Sequence, residues 1–255
     1  MKITILTNRD LASHIALSRL IKMLSQHSLS IFISEKVGTA ASLPQSLQQL
    51  AVFEKQVIAE SPLSFEDLAA KAGCNLQGFA DLNNQVNSPA GLQRVMATEP
   101  DLILSIRFGL IIRDPLIAIP RYGVINLHSG LLPEYRGVMA TFRAMINGDT
   151  EIGSTLHFIQ DTGIDTGDIL SIAKIPLQKT SSYLLNVLNL YSAGCQQLVS
   201  AVESLERNIS LHGQPQQGRP GYYSFPTDQD LSEFAAQGHQ LFDPAELEAI
   251  RALQG

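Results

Sequence analysis

The opening stretch, residues 1–34, constrains the fold more than any other. Residues 2–7 (KITILT) form a short apolar run, Asp10 stands where a helix would be capped, and residues 11–26 repeat apolar side chains at helical spacing. Residues 29–34 (LSIFIS) are a second strand-like run. Strand, helix and strand in so short a span predict a right-handed parallel crossover. The fold class expected is therefore α/β, a Rossmann-like, mostly parallel sheet flanked by helices. The turn after the first strand is Asn8-Arg9-Asp10 and has no glycine. A dinucleotide-binding turn needs glycines there so that backbone can approach a pyrophosphate. NAD or FAD at this loop is not expected.

The strand and helix signals resume along the chain. Over residues 38–98 the segments around Pro44 and Pro62 read as helical, and residues 81–88 (DLNNQVNS) as a polar turn. Residues 100–105 and 123–128 (GVINLH) restore buried-strand signals, the second followed by a Gly/Pro-rich loop to Gly137. Further strands are expected over 154–159 and 168–175, then a long helix from Ser181 to about Arg207 with one apolar face. Cys195 lies on that face, which favours packing. After residue 207 the composition changes. Residues 214–226 are rich in Gly, Pro and Gln around Tyr222, Tyr223 and Phe225. Thr227 and Asp230 resemble a capping box ahead of Leu231 and Phe234, and Pro244 opens a last short helix. The organisation predicted is a main domain over 1–207 and a C-terminal appendage over 208–255, a hairpin-like segment plus short helices.

Charge narrows the function classes. The chain of 255 residues carries 18 basic and 24 acidic side chains, a net charge of −6, with no Lys/Arg run. A nucleic-acid footprint needs a basic stripe, so no nucleic acid is expected as partner, whereas a small anionic ligand remains compatible. Cys74 and Cys195 lack CxxC or zinc-ligand spacing and read as two reduced thiols, with no metal. The N-terminus has no secretory apolar core, and no apolar run approaches the ~18 residues of a membrane span. A cytoplasmic protein without a membrane partner is expected.

The chemistry concentrates between residues 123 and 170. Asn126 and His128 sit two apart at the C-terminal end of a predicted strand, so both side chains share one face, at the end where open α/β sheets place ligands. An amide and an imidazole side by side can donate to one developing oxyanion. A histidine in such a role needs a partner to fix its tautomer; Asp161, Asp165 and Asp168, in the turn between two strands, are the candidates. The competing reading is plain turn hydrogen bonding. His157, on an alternating strand, reads as a packing residue, and His14, His27, His212 and His239 as surface residues.

The run N-L-H-x-x-L-L-P-E-Y-R-G, then Asn147-Gly148-Asp149, Gly153-Ser154-Thr155 and G-I-D-T-G-D-I-L, resembles the 10-formyltetrahydrofolate-dependent formyltransferase family. That family includes the methionyl-tRNA, glycinamide ribonucleotide and sugar-nucleotide N-formyltransferases. The resemblance is strong over about residues 100–175 and weaker over 1–35 and 176–207. It implies a catalytic trio of Asn126, His128 and Asp165. It also implies that Phe108, Gly109, Leu110 and Ile111, with Thr162, Gly163 and Ile164, hold the pterin of the formyl donor through backbone groups. Arg107 departs from the pattern, since related enzymes often carry a small residue there.

The resemblance further implies attack of a substrate amine on the formyl carbon. Asn126 and protonated His128 would donate to the oxygen that gains charge, about 3–4 kcal/mol per donor, and Asp165 would help relay the proton. The chain lacks the length and basic charge of the tRNA-acting branch, so the acceptor expected is a small-molecule amine. An amino-sugar nucleotide comes first and a hydroxyornithine-type or other secondary-metabolite amine second. A formyltetrahydrofolate hydrolase or a non-catalytic folate-binding relative is the alternative from another class. Tyr222, Tyr223 and Phe225 would either stack on a base or pack, with packing favoured, and a homodimer is a further expectation.

Overall fold

The computed structural model describes residues 1–35 and 43–254, so residues 38–42 of the stretch around Pro44 lie outside the described residues. Strand β1 (Lys2–Asn8) leads into helix α1 (Leu11–Met23), where the Asp10 side chain accepts from the Ser13 N–H as N-cap. Strand β2 (Ser28–Ser34) then lies parallel to β1. Helices α2 (Gln45–Ala59) and α3 (Phe65–Lys71) follow, the second opened by a capping box of Ser64 and Asp67. Next come β3 (Leu76–Gly78), α4 (Pro89–Met96), β4 (Leu102–Ile106), α5 (Asp114–Ile117) and β5 (Val124–His128). The two-residue β6 (Arg136–Gly137) and α6 (Ala140–Ile146) precede the hairpin of β7 (Glu151–Ile159) and β8 (Ile169–Pro176). The chain ends with α7 (Tyr183–Glu206), β9 (Tyr222–Tyr223), α8 (Asp228–Ala236) and α9 (Leu247–Leu253).

The main sheet has the order β3-β2-β1-β4-β5-β7-β8. Its first five strands are parallel, and β7 and β8 close it in antiparallel fashion. Strand alternation divides the apolar side chains between two cores. Ile3, Ile5, Ile31, Ile33, Leu104, Ile125 and Leu127 face the larger one, filled by α1 and α7, while Leu6, Phe32, Ile103 and Val124 face the smaller. Asn126 and His128 follow Val124 in the same phase, at the carboxyl end of β5. Between β1 and β4 the strand order reverses, and open α/β sheets bind ligands at the carboxyl ends of such a switch point.

Two expectations need correction. His14 and His27 are buried, not on the surface. His14 lies on the inward side of α1, donates from Nε2 to the Leu63 carbonyl at 2.8 Å and meets the Phe65 ring edge-on. His27 sits between the N-terminal amine and Glu206. Among the described residues, the segment after residue 207 forms no hairpin with itself. Tyr222–Tyr223 pairs in parallel with Arg136–Gly137, and Gln214 bridges to Ile169. Leu231, Phe234, Leu241 and Ile250 from this segment join the larger core. Among the described residues no helix is long and apolar enough to cross a membrane.

Candidate active site

The carboxyl ends of β1, β4 and β5 open into a cleft of about 570 Å³. All ten residues singled out from the sequence border it: Asn126, His128 and Asp165, the segment Phe108, Gly109, Leu110 and Ile111, and Thr162, Gly163 and Ile164. Ile111 and Ile164 are large apolar side chains left 50% and 41% exposed. An apolar slot flanked by backbone groups suits a flat, polar-edged heterocycle. The 108–111 wall is held in place from outside: Gly109 N–H donates to Ser34 Oγ at 3.2 Å, and Asn87 Nδ2 donates to the Ile111 carbonyl at 2.7 Å. Asn87 belongs to the polar turn whose role the sequence left open.

At the cleft floor Asp165 faces both members of the Asn-x-His pair. Asn126 Nδ2 approaches its Oδ1 at 3.4 Å, and His128 Nδ1 stands 3.5 Å from its Oδ2. Asp165 adopts a left-handed backbone with φ of 54°, which turns its carboxylate inward from the loop. Burial pushes the carboxyl pKa up, but the charge of His128, the adjacent His157 ring and the Gly137 N–H outweigh it and hold the group down at about 2. That N–H donates to Asp165 Oδ2 at 2.8 Å. Glycine is required at 137: φ is 92°, and a Cβ there would collide with the Tyr223 carbonyl oxygen.

His128 donates from Nε2 to the Tyr135 carbonyl at 2.7 Å, so Nδ1 is the ring nitrogen that faces Asp165. The Tyr135 hydroxyl donates to Asp149 and accepts from Asn147 Nδ2 at 3.0 Å. The Asn-Gly-Asp motif thus braces the residue that braces His128. Thr155 Oγ1 donates to the Gly130 carbonyl and accepts from the Leu132 N–H, tying the loop after β5 to β7.

His157, expected to pack, is buried, yet it also lines this cleft. It stands opposite Asn126 across the antiparallel pair. Its Nδ1 donates to the Phe158 carbonyl, so Nε2 is free to accept from Asn126 Nδ2 at 3.0 Å. That bond orients the amide. Gln216 was also missed. Its Nε2 donates to the backbone carbonyls of Asp165 and Gly167, while its Oε1 accepts from Arg136. Of Tyr222, Tyr223 and Phe225, Tyr223 packs on Tyr135, whereas Tyr222 and Phe225 line the cleft, and Tyr222 is 62% exposed. Cys195 is buried in the core, and among the described residues no cluster of three or more His, Cys, Asp and Glu side chains could hold a metal ion.

Residues 29–188 match the family model described as Formyl transferase. The methionyl-tRNA formyltransferase of Francisella tularensis is 33% identical over 155 residues, which cover 60% of this chain and 48% of that protein. The chain therefore spans about half the length of the curated relatives it matches. Among solved structures, glycinamide ribonucleotide transformylase 1 from Symbiobacterium toebii superposes with a TM-score of 0.62 at 16% identity, covering 84% of this chain and 92% of that one. An N-formyltransferase from Helicobacter canadensis, solved in complex with folinic acid and dTDP-3-aminofucose, gives a TM-score of 0.53 at 18% identity, covering 90% and 72%. At those identities the two structures speak for the fold.

Proposed function

The chain belongs to the formyl transferase family, and we propose that it is an N-formyltransferase that moves the formyl group of 10-formyltetrahydrofolate to the amine of a small molecule. The observation that carries this reading is the meeting of Asn126, His128 and Asp165, from segments 39 residues apart, at the floor of the cleft. The acceptor nitrogen bonds to the formyl carbon as the bond from that carbon to the folate N10 breaks. The acceptor loses one proton, and N10 gains one. In between, negative charge gathers on the formyl oxygen, and Asn126 Nδ2 is the donor placed to meet it. His128 Nδ1 takes the departing proton, and Asp165, ionised down to a pH of about 2, favours the imidazolium that results. Phe108–Ile111 and Thr162–Ile164 would hold the pterin from opposite walls.

The donor assignment is supported by the Helicobacter enzyme solved with folinic acid, and a small acceptor by the dTDP-3-aminofucose in the same complex. The relatives named methionyl-tRNA formyltransferase supply the rival acceptor. The test is turnover of 10-formyltetrahydrofolate with amino-sugar nucleotides, glycinamide ribonucleotide, hydroxylated diamines and charged methionyl-tRNA, following folate absorbance. Transfer to a small amine is expected, with Asn126→Ala and His128→Ala lowering kcat by about 10²–10⁴ while the folate still binds. Near-native turnover by either variant would sink the site assignment. Formylation of the tRNA alone would overturn the small acceptor, and fast tetrahydrofolate release without any amine would mark a hydrolase.

A further inference from the structure

The loop that carries Asp165 is held by a side chain 51 residues further along the chain. After α7 the chain returns to the sheet at Gln214, which exchanges two backbone hydrogen bonds of 2.8 Å with Ile169 at the start of β8. Gly213 permits this approach, because a Cβ there would press on the Asp168 side chain. Pro215 fixes its own backbone torsion, and Gln216 follows against the loop between β7 and β8. There the Gln216 amide is used in full. Its Nε2 donates to the Asp165 carbonyl at 2.8 Å and to the Gly167 carbonyl at 2.9 Å. Its Oε1 accepts from Arg136 Nε at 3.1 Å and Nη2 at 2.7 Å. A primary amide has two donors on nitrogen and two lone pairs on oxygen, so none is left over.

Asp165 is a residue that needs holding. Its φ of 54° lies in the left-handed region, which a side chain with a Cβ disfavours. Two restraints act on its two ends: the Gly137 N–H fixes the carboxylate, and Gln216 fixes the backbone carbonyl. Arg136, the neighbour of Gly137, joins them through the Gln216 amide oxygen. Held in this way, Asp165 presents Oδ2 to His128 Nδ1 at 3.5 Å and Oδ1 to Asn126 Nδ2 at 3.4 Å.

Resting on the formyl transfer proposed above, we infer that Gln216 is a positioning residue for that reaction: its two carbonyl contacts keep the left-handed Asp165 in the orientation that serves His128. Gln216 does not border the cleft, so its effect on the chemistry passes through Asp165. A catalytic group misplaced by about 1 Å loses on the order of 10² in rate, and a loop without these two backbone anchors has that latitude. The rival reading is a tie that only fastens the segment after residue 207 to the sheet. The two differ in what happens at Asp165 when the tie is cut.

Two variants of the full chain make the cut. Gln216→Met keeps the length and removes every hydrogen bond. Gln216→Glu keeps the size and the Arg136 contact, but sets a second oxygen against the two carbonyls. Both are expected to retain a cooperative thermal transition and to hold KM for 10-formyltetrahydrofolate within about 3-fold, while kcat falls about 10²-fold. In an Asp165→Asn background the further cost of Gln216→Met should shrink to about 2-fold, since the group it positions has already lost its charge. The Asp165 carboxyl gives a readout without turnover. Carboxyl-carbon NMR of the wild type should find it ionised down to a pH of about 2. In Gln216→Met the midpoint should climb toward the ordinary 3.8 as the group leaves His128, His157 and the Gly137 N–H. Wild-type kcat in Gln216→Glu, an equal cost of Gln216→Met in both backgrounds, or an unmoved Asp165 titration would each overturn the assignment. If the wild type transfers no formyl group to any amine, the proposed function falls, and the carboxyl titration alone decides whether Gln216 holds Asp165.

Discussion

Burial by itself would keep the Asp165 carboxyl protonated well above the usual carboxylate range, yet the rings and the Gly137 N–H around it hold it at about 2. The unfolded chain protonates this group first as pH falls, near 3.8, so its contribution is complete above that value and is lost as pH drops through about 2. The gap corresponds to about 2 kcal/mol. Urea denaturation from pH 7 to 2 should show Asp165→Asn with a shallower acid slope than the wild type. Glu54 has the opposite sign. Its pKa rises from 4.5 to about 8, so the unfolded state ionises first and stability falls as pH climbs between those values. Glu54→Gln should flatten that slope and raise stability at pH 8 in the same measurements. At His157 the expected effect is on orientation. His157→Phe leaves the Asn126 amide only its long 3.4 Å contact with Asp165, at a cost of about 1 kcal/mol and a fall in kcat, whereas His157→Gln retains an acceptor and should recover part of both.

The clip between β6 and β9 is where local reading gave out. Apolar runs announced β1, β2, β4 and β5 because parallel strands buried on both faces must be apolar throughout, and the Asn126–His128 spacing announced one face of the site. A two-residue strand has no periodicity to read, and the partner of Arg136–Gly137 lies in another part of the chain at Tyr222–Tyr223. The same holds for Gln216, whose two carbonyl contacts fix the Asp165 loop from a segment that carries only a turn-like composition. His157 could have been found by pairing the 154–159 strand against 123–128, since strand alternation then places it on the face of Asn126. Gly137→Ala tests the clip. A side chain at that φ, pressed on the Tyr223 carbonyl, should strain or part the two short strands at about 1–3 kcal/mol. Hydrogen exchange should then quicken at the amides of residues 160–168, with activity falling in step. Unchanged exchange there would mean the clip does not hold the loop.

At the scale of the molecule, the segment after residue 207 and the sheet domain share a single core. The Phe234 ring stacks on Phe142 at 4.5 Å, and Phe242 on Phe53 at 4.7 Å. Arg143 makes a two-pronged ion pair with Asp230 at 2.8 and 3.1 Å, and Glu246 accepts from the backbone and hydroxyl of Ser182 at the start of α7. Leu231, Phe234, Leu241 and Ile250 are at least nine-tenths buried in the core that holds α1 and α7. Each such side chain is worth about 1.5–3 kcal/mol on burial, so together they rival the 5–15 kcal/mol that separates a typical folded domain from its unfolded state. A chain ended after residue 207 should therefore lose its cooperative thermal transition, bind a dye for exposed apolar surface, and release the Asp165 loop along with Gln216. Circular dichroism melting of that truncated chain decides the matter. A sharp transition within a few degrees of the full chain would mean that residues 1–207 fold alone, and that the later segment serves the cleft without serving the core.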